Sequence, residues 1–384
     1  MTRDSEQITK ILCITNDFGP RAGGIETFVI GLIERLPFGS VIVYTSSQDG
    51  SIPFDAQWLQ KFGVEVIRDR STILLPTPRV SRSVCSLLKA RGISSVFFGA
   101  AAPLALMAPA LRRNGAQRIV ALTHGHEVWW SKVWPFTWMM RRIGNSVDHL
   151  TYLGEFTRSN IARSLSTRAE DAMVKMAPGI DTEHFAPHLG AANLRRELKL
   201  HDKKVIVSVG RLVHRKGQDT LIDSLPEILR EIPNAHILFV GEGPYKDDLL
   251  KRASKLNVAQ NITFIGRIQH ADLPRYICVG DIFAMPSRSR LAGLEVEGLG
   301  IVYLEASACG LAVIGGISGG APDAVLEDET GFAVDGTSSA AVAAAAITLL
   351  SQPVLAEQMG ARGRQWVIDE WNWNLWSARF ASLL

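Results

Sequence analysis

Near the start of the chain, residues 11–24 read ILCITNDFGPRAGG. The first letters, ILCIT, form a short apolar run that is typical of a buried strand, and the glycine-rich remainder reads as a loop. A helix is predicted directly after the loop, because apolar residues follow at the i, i+3, i+4, i+7 spacing of one buried helical face; they are Ile25, Phe28, Val29, Leu32, Ile33 and Leu36. A strand that leads through such a loop into a helix is typical of a parallel α/β sheet.

Strand and helix patterns alternate along the rest of the chain, which predicts the α/β class with two Rossmann-like, doubly wound parallel sheets. In the first half, further strands are predicted at 41–45, 64–68, 95–99, 118–123 and 149–153, with helices at 80–91 and 103–113. The pattern restarts with a strand at 204–209, and further strands are predicted at 235–240, 261–265, 281–285 and 311–315.

A turn-rich segment bounded by prolines, residues 178–187, separates the two halves. A chain of 384 residues is long enough for two domains, and we predict 1–178 and 188–365, with helices from about 366 that could pack back on the first domain. Ligands bind beyond the carboxyl ends of the strands in open parallel sheets, so two facing sheets would form an interdomain cleft.

Composition excludes several classes of protein. Hydrophobic residues make up 47% and charged residues 21% of the chain, so long disorder is not expected. No apolar run reaches the ~20 residues that span a bilayer. No secretory signal is visible at the start, so we expect the protein to be cytoplasmic.

The four cysteines are far apart in apolar runs and are predicted to be buried, reduced thiols; they are Cys13, Cys85, Cys278 and Cys309.

Charge is distributed unevenly between the halves. Residues 1–178 contain 21 Lys and Arg against 14 Asp and Glu, whereas the remainder contains 20 against 24. A basic first half is typical of a domain that meets phosphate or anionic lipid head groups, and a merely solvated surface is the alternative.

One segment, residues 129–142, contains four of the nine tryptophans and three cations. This composition suits a bilayer interface, where indole rings lie at head-group depth and cations meet anionic lipid. Ordinary core, or the wall of an acceptor pocket, fits the segment equally well. Nucleic-acid binding is not expected, because no known nucleic-acid-binding module is present.

In the first half, Gly23 and Gly24 lie between a strand and a helix, where free N–H groups and the helix dipole favour a phosphate. A simple tight turn is the alternative. The spacing matches neither G-x-G-x-x-G nor the nucleotide P-loop, which disfavours NAD and ATP. His124 follows a predicted strand in the sequence HGHE, and this strand-end position favours an active-site loop. A metal held by His124, His126 and Glu127 is disfavoured, because no further ligand cluster is evident.

In the second half, Arg211 and Lys216 flank the sequence LVHR in the loop after strand 204–209. Two permanent cations near a helix start can hold a diphosphate and offset the charge that develops as it leaves. Loop cations are more commonly solvated, and Arg215 in particular is expected at the surface.

Glu297 and Glu305 bracket seven residues. On one helix, eight steps of about 100° would leave their side chains roughly 80° apart, broadly on one side, where both could accept hydrogen bonds from sugar hydroxyls. A pair of surface glutamates is the alternative, but Glu305 lies among apolar residues and needs a partner. Glycines 298 and 300 would let backbone N–H groups approach a phosphate.

The pair Arg211 and Lys216, with Glu297, seven residues and Glu305 on two Rossmann-like domains, resembles the retaining glycosyltransferases of family 4, whose fold is called GT-B. The resemblance covers nearly the whole chain. A narrower similarity, to the actinobacterial phosphatidylinositol mannosyltransferases of this family, rests on longer stretches, which are residues 15–26, 98–107, 123–128 and 281–310.

This resemblance implies transfer of the second mannose, in α-1,6 linkage, from GDP-mannose to a phosphatidylinositol mannoside. It also implies no cofactor, no metal, and peripheral contact with the anionic inner face of the plasma membrane. By position, it implies Gly24 at the donor phosphate, Arg211 and Lys216 on the diphosphate, Glu297 on the mannose hydroxyls and His124 near the reacting carbon. It further implies backbone contacts to phosphate and sugar from Leu299, Gly300 and Ile301, a ribose contact from Glu305, and a guanine site bordered by Gly266, Arg267 and Ile268.

Several alternatives stay open. Another family 4 enzyme with a different donor or acceptor, or a nucleotide-sugar epimerase, would share the architecture. A nicotinamide-dependent oxidoreductase is disfavoured by the absent G-x-G-x-x-G motif. A nonenzymatic sugar-nucleotide sensor is disfavoured by the combination of one Arg, one Lys and two Glu. The resemblance is weakest at Glu295, where an Asp is more usual, and in the tryptophan-rich segment.

Overall fold

The computed structural model describes residues 9–21, 23–187 and 190–384. The chain divides into two compact units, of which the first is Met1–Gly179 with Trp373–Leu384 and the second is Ile180–Asn372. Three features named above lie outside the described residues: the predicted domain start at 188, Ala22 of the first loop, and residues 1–8, which enter the prediction that no secretory signal is present.

The first unit is built on a parallel sheet. Its strands are β1 (Ile11–Ile14), β2 (Val41–Thr45), β3 (Glu65–Arg68), β4 (Ser95–Phe98), β5 (Arg118–Ala121), β6 (His149–Tyr152) and β7 (Met173–Lys175). They pair in the order β3-β2-β1-β4-β5-β6-β7. Its helices are α1 (Gly24–Ile33), α2 (Ser51–Phe62), α3 (Pro78–Ala90), α4 (Ala108–Arg113), α5 (Glu127–Trp130), α6 (Phe136–Gly144), α7 (Glu155–Ala162) and α8 (Thr167–Asp171). Every residue of β1, β2 and β4 is buried, as expected where helices cover both faces.

The second unit repeats this plan. Its strands are β8 (Lys204–Val209), β9 (Ala235–Val240), β10 (Ile262–Gly266), β11 (Ile282–Met285), β12 (Val313–Gly316) and β13 (Gly331–Val334), and they pair in the order β10-β9-β8-β11-β12-β13. Its helices are α9 (Ala191–Glu197), α10 (Gln218–Glu231), α11 (Lys246–Lys255), α12 (Leu273–Ile277), α13 (Ile301–Ala308), α14 (Ser339–Ser351) and α15 (Pro353–Glu370). Each unit has its own apolar core. The predicted pair of doubly wound parallel sheets is therefore confirmed.

The chain returns to the first unit through its last helix, α16 (Trp373–Leu383). The guanidinium carbon of Arg35, which follows the end of α1, lies 4.4 Å from the centre of the Trp373 ring. The return begins later than the predicted 366, because α15 is continuous through that position and Trp366 is buried in the second unit.

Segment 180–187 belongs to the second unit rather than forming a free linker. The Ile180 N–H donates to the carbonyl of Trp371 over 2.6 Å, and both Ile180 and Phe185 are buried. Burial of these two apolar side chains moves the boundary to the peptide between residues 179 and 180.

Three local features differ from the sequence-based predictions. β7 and β13 were not predicted, because both are short, mostly half-buried edge strands whose apolar runs reach only three residues. The predicted helix 103–113 is divided into a 3-10 turn, Leu104–Met107, and α4. Two of the four free cysteines, Cys85 and Cys278, are only half-buried. A hydrogen bond to the Cys278 thiol, together with burial, raises the pKa of Cys309.

Strand order explains where a ligand site should form. In each sheet the order reverses at the first strand, because β1 lies between β2 and β4, and β8 lies between β9 and β11. Loops that leave such neighbouring strands run in opposite directions and open a crevice at the carboxyl edge of the sheet. The described residues of the loop after β1, 15–21 and 23, lie at this point in the first unit together with loop 99–103, and the loops 210–217 and 286–300 lie at it in the second.

Among the described helices, none is by itself both long and apolar enough to cross a bilayer. Only α14 and α15 together reach the required length and composition, and they are bent by 99° at the break between them.

Candidate active site

A buried ion pair joins the two loops at the crevice of the second unit. The Lys216 Nζ lies 2.7 Å from Glu297 Oε2, and the two side chains are only 11% and 10% exposed. A carboxylate removed from water in this way requires a cation or several hydrogen bonds. The structure therefore brings together two residues that the sequence placed in separate motifs.

Backbone packing directs Lys216 into this contact. Lys216 ends a 3-10 turn, and the next residue, Gly217, has φ +73. A Cβ at Gly217 would lie 1.9 Å from the carbonyl oxygen of Pro286, so only glycine allows the loop to pack on the end of β11. The Arg288 N–H also donates to the carbonyl of Arg215 over 2.8 Å. The cationic loop is thus held against the segment that leads to Glu297.

Glu297 does not lie on a helix with Glu305, which corrects the sequence-based expectation. Helix α13 begins only at Ile301, because Gly300 adopts φ +77 and interrupts the helix before it. The Glu297 backbone is fixed instead by a neighbouring loop, where the Gly320 N–H donates to the Glu297 carbonyl over 2.9 Å. The Glu297 N–H donates to Ser318 Oγ over 3.3 Å.

Arg215 was expected at the surface, and this expectation was wrong. Its Nη1 donates to Glu297 Oε2 over 3.0 Å, the same oxygen that Lys216 contacts, and its side chain is 29% exposed. Its Nε lies 3.9 Å from Glu295 Oε1, and Arg290 donates to the other oxygen of Glu295 over 3.0 Å. Two arginines and one further glutamate therefore extend the buried pair into a charge array, which comprises Arg215, Lys216, Arg290, Glu295 and Glu297.

Arg211 lies in the same loop but in a different state. Its side chain is exposed and has no ion-pair partner among the residues that the structure describes, and Gln218 Nε2 donates to its carbonyl over 3.1 Å. The two predicted cations thus differ: Lys216 is committed to a carboxylate, and Arg211 is directed to solvent.

The start of α13 offers backbone donors. The N–H groups of Leu299, Gly300 and Ile301 precede or begin the helix and donate to no described residue. Gly300 must be glycine here, because a Cβ would meet the Tyr303 ring at 2.4 Å. Unpaired N–H groups at a helix start, together with the helix dipole, form a site that favours an anion.

Glu305, which was predicted to need a partner, has one in His270. The His270 Nε2 lies 3.8 Å from Glu305 Oε1, and this nearby carboxylate raises the pKa of His270 despite partial burial. The predicted base-binding segment, Gly266 to Ile268, begins at the last residue of β10, with Gly266 at φ +85 and Arg267 exposed. These residues occupy the same carboxyl edge of the sheet as Lys216.

In the first unit the two predicted glycines differ. A Cβ at Gly23 would lie 2.3 Å from Glu26 Oε2, so a carboxylate already occupies that side of the α1 start. At Gly24, nothing in the described part of the chain lies within 4 Å of such a Cβ. Because two anions repel, Gly24 is the better candidate for an anionic ligand. Arg21 Nε donates to Glu26 Oε1 over 3.0 Å and partly neutralises the carboxylate.

His124 lies beyond β5 and spans two strand ends. Its Nε2 is 2.5 Å from the Gly99 carbonyl oxygen, and its backbone N–H donates to Glu127 Oε2 over 2.9 Å. Burial lowers the pKa of His124, and the nearby Glu127 carboxylate opposes this shift. The neutral ring therefore donates Nε2–H to Gly99, which leaves Nδ1 as an acceptor. No group of three or more His, Cys, Asp or Glu able to hold a metal occurs within the described residues.

Sequence reasoning missed Arg215, Arg290, His270 and Ser318 as parts of the site. The one available signal was the density of charge in RLVHRK and SRSRLAGLEVEG, which does not show which charges meet.

Comparisons with known proteins show which family the chain resembles. Residues 22–184 match the Glycosyltransferase Family 4 domain, and residues 191–366 match Glycosyl transferases group 1. A GDP-mannose-dependent alpha-(1-6)-phosphatidylinositol monomannoside mannosyltransferase from Mycolicibacterium smegmatis is 45% identical over 376 residues, 97% of this chain and 98% of that protein. A Corynebacterium glutamicum enzyme, named for the monoacylated form of that acceptor, is 38% identical over 98% of this chain and 97% of its own. Among solved structures, Anabaena Alr3699/HepE in complex with UDP superposes with a TM-score of 0.82 at 18% identity, covering 97% and 99% of the two chains.

We expect His124 to stay neutral at pH 7 and to titrate below the usual value of about 6.5, because burial disfavours its charged form. Long-range ¹H–¹⁵N NMR of the histidine rings, with His124→Gln to assign the signal, measures the midpoint. A midpoint above the usual value would contradict the assignment of Nδ1 as an acceptor at neutral pH.

Proposed function

The chain belongs to the family 4 glycosyltransferases with the GT-B fold, and on that premise we propose that it is a retaining mannosyltransferase. It transfers mannose from GDP-mannose to a phosphatidylinositol monomannoside, the donor and acceptor for which its relatives are named. The buried Lys216–Glu297 pair beside the open start of α13 is the structural observation that supports this function most directly.

Cationic side chains and backbone donors would hold the donor diphosphate. Lys216 has three N–H donors, so it can keep Glu297 and still bind phosphate, and exposed Arg211 supplies a second cation. The N–H groups of Leu299, Gly300 and Ile301 add neutral donors at the α13 start. Positive charge placed where negative charge develops lowers the barrier to departure of the leaving group.

The carboxylates would hold sugar hydroxyls. Arg215 and Lys216 both contact Oε2 of Glu297. The other oxygen, Oε1, has no hydrogen-bond partner among the described residues, so it is free to accept a hydrogen bond from mannose. Glu305 would bind the ribose, beside Gly266, Arg267 and Ile268 at the guanine. From the first unit, Gly24 would donate to phosphate, and His124 Nδ1 would accept from the sugar near the reacting carbon.

The reaction proceeds by attack on the face from which the diphosphate leaves. The bond from the anomeric carbon to the diphosphate oxygen breaks, and the acceptor hydroxyl oxygen bonds to the same carbon. The hydroxyl proton passes to the departing diphosphate. The transfer requires no bound metal, because Arg211 and Lys216 offset the diphosphate charge.

A lipid acceptor places the reaction at a membrane. We therefore include in the proposal a cytoplasmic enzyme in peripheral contact with the anionic inner face of the plasma membrane. The excess of basic over acidic residues in 1–178 supports this contact.

Radiolabel transfer tests the proposed function. Purified protein with a membrane extract should move label from GDP-mannose, but not from UDP-glucose, into the lipid phase, and chelation with EDTA should not reduce the rate. Conversion of GDP-mannose without a lipid acceptor would indicate an epimerase. Transfer of label from UDP-glucose but not from GDP-mannose would indicate another family 4 activity and would refute the proposal.

Lys216→Ala should lower the turnover number by about 10²–10³-fold, because the leaving diphosphate loses one charge-assisted partner and Glu297 loses a cation. Lys255→Ala, which removes an exposed lysine at the end of α11, is the matched control and should keep the wild-type rate. Near-normal turnover in Lys216→Ala would show that Lys216 has no catalytic part.

A further inference from the structure

The tryptophan-rich segment consists of two structurally different parts. Trp129, Trp130 and Phe136 pack against one another with ring centres 4.8–5.6 Å apart, and Trp130 packs on the core of the first unit. The turn that follows α5 is different, because residues 132–135 are all exposed. The core interpretation therefore applies to the first part alone.

The exposed part forms a continuous amphipathic feature. Trp134 is 82% exposed and Trp138, one turn into α6, is 57% exposed, whereas Met140 and Ile143 on the opposite side of α6 are buried. Isolated exposed apolar residues are ordinary on a protein surface. Two exposed indoles within five residues, next to the packed rings of Trp129, Trp130 and Phe136, are not. We name the exposed residues the aromatic-basic face; they are Lys132, Val133, Trp134, Trp138, Arg141 and Arg142.

The charge of this face has one sign. Residues 128–147 contain no Asp or Glu. Lys132, Arg141 and Arg142 are exposed, and none has an ion-pair partner among the residues that the structure describes. The Arg142 guanidinium carbon lies 5.7 Å from the Trp138 ring centre, which keeps cation and indole side by side. Uncompensated cations beside exposed indoles are complementary to an anionic surface with an apolar interior.

The topology of the first unit places this face near its candidate site residues. β5 runs to the carboxyl edge of the sheet, where His124 and α5 follow, and α6 then leads back toward the start of β6. The turn 131–135 therefore lies at the same edge as His124. A face at this edge is suitably placed to bring a lipid-anchored acceptor to the site.

We propose that the aromatic-basic face docks on an anionic bilayer, with Trp134 and Trp138 at head-group depth and Arg141 and Arg142 on lipid phosphates. This deepens the proposed function by naming the surface that meets the membrane. Vesicle binding tests it without catalysis, so its failure is distinguishable from failure of the mannosyltransferase assignment.

The experiment is flotation with two kinds of vesicle, phosphatidylcholine alone and phosphatidylcholine with about 30 mol% phosphatidylglycerol. Wild-type protein should bind the anionic vesicles. Arg141→Gln/Arg142→Gln should weaken this binding by about 25-fold, because each cation near an anionic surface contributes about five-fold. Trp134→Ala/Trp138→Ala should weaken it by about ten-fold through lost apolar insertion.

Matched controls remove similar residues elsewhere in the first unit. Phe38→Ala removes an exposed ring before β2, and Arg113→Gln/Arg118→Gln removes two exposed cations near the start of β5. Both should bind like wild type. Equal binding by controls and face variants, or retention by a protein or RNA partner with no vesicle binding, would overturn the proposal. Transfer to a short-chain, water-soluble acceptor should be unchanged in the face variants.

A different observation supports a second inference, about Arg215. Glu297 Oε2 holds two cations, and Lys216 is the one that the proposed function also assigns to the diphosphate. Arg215 is anchored independently by Glu295, which Arg290 fixes in turn, and the backbone of loop 290–295 closes on itself through hydrogen bonds of 2.8 and 3.2 Å between Arg290 and Glu295. We infer that Arg215 is a positioning residue that keeps Glu297 aimed at the sugar when Lys216 engages phosphate.

This role makes a specific kinetic prediction, which rests on the proposed function. Arg215→Met should reduce kcat for mannosyl transfer by about ten-fold or more, with KM for GDP-mannose changed much less, since Arg215 acts through Glu297. In a Glu297→Gln background the same substitution should have almost no effect. Arg215→Lys should recover part of the rate.

The control is Arg252→Met, which breaks the ion pair with Asp223 between α10 and α11 and should leave the rate unchanged. A rise in KM alone would show that Arg215 binds the donor directly. An undiminished effect of Arg215→Met in the Glu297→Gln background would show that it acts elsewhere. Either result would overturn the inference. If the wild-type chain binds GDP but transfers no mannose, that result would count against the proposed function instead.

Discussion

A carboxylate taken out of water must be compensated, and in this protein the compensation of Glu297 organises the second unit. Burial of an unpaired carboxylate is far more costly than burial of an apolar group of similar size. Lys216 and Arg215 both satisfy Glu297 Oε2, and they reach it only because Gly217 allows their loop to pack on the end of β11. The reversal of strand order at β8 brings that loop and the Glu297 loop to one crevice.

The same ion pair has a chemical consequence. With both cations on one oxygen, the other carboxylate oxygen remains an acceptor, and the neighbouring helix start presents N–H donors to an anion. Acceptor and donor groups therefore stand side by side, as a ligand that carries both hydroxyls and phosphate requires. The first unit follows a related rule, because Glu26 and its partner Arg21 occupy one side of the α1 start and leave Gly24 open.

The proposed membrane contact depends on a different physical principle, the partition of side chains between core and surface. Trp130 and Trp134 are four positions apart in one composition-biased segment, yet the first packs on the core and the second is exposed. The exposed indoles lie beside cations that have no ion-pair partner among the described residues, so a single face would combine apolar and electrostatic attraction to a bilayer. This face lies at the carboxyl edge of the first sheet, so the proposed lipid contact would occur at the same end of the unit as His124.

Local periodicity in the sequence was sufficient to determine the α/β class, the two repeated sheets and most strands, because fully buried parallel strands appear as continuous apolar runs. Residue types and motifs in the sequence also indicated Lys216, Glu297 and Glu305 as candidate site residues, one motif at a time. Tertiary structure alone decided that Glu297 precedes its helix, that Arg215 turns inward to a carboxylate 82 residues away, and that His270 is the partner of Glu305. The physical reason is that periodicity reports the environment of neighbouring residues, whereas ion pairs and burial depend on which distant segments the fold brings together.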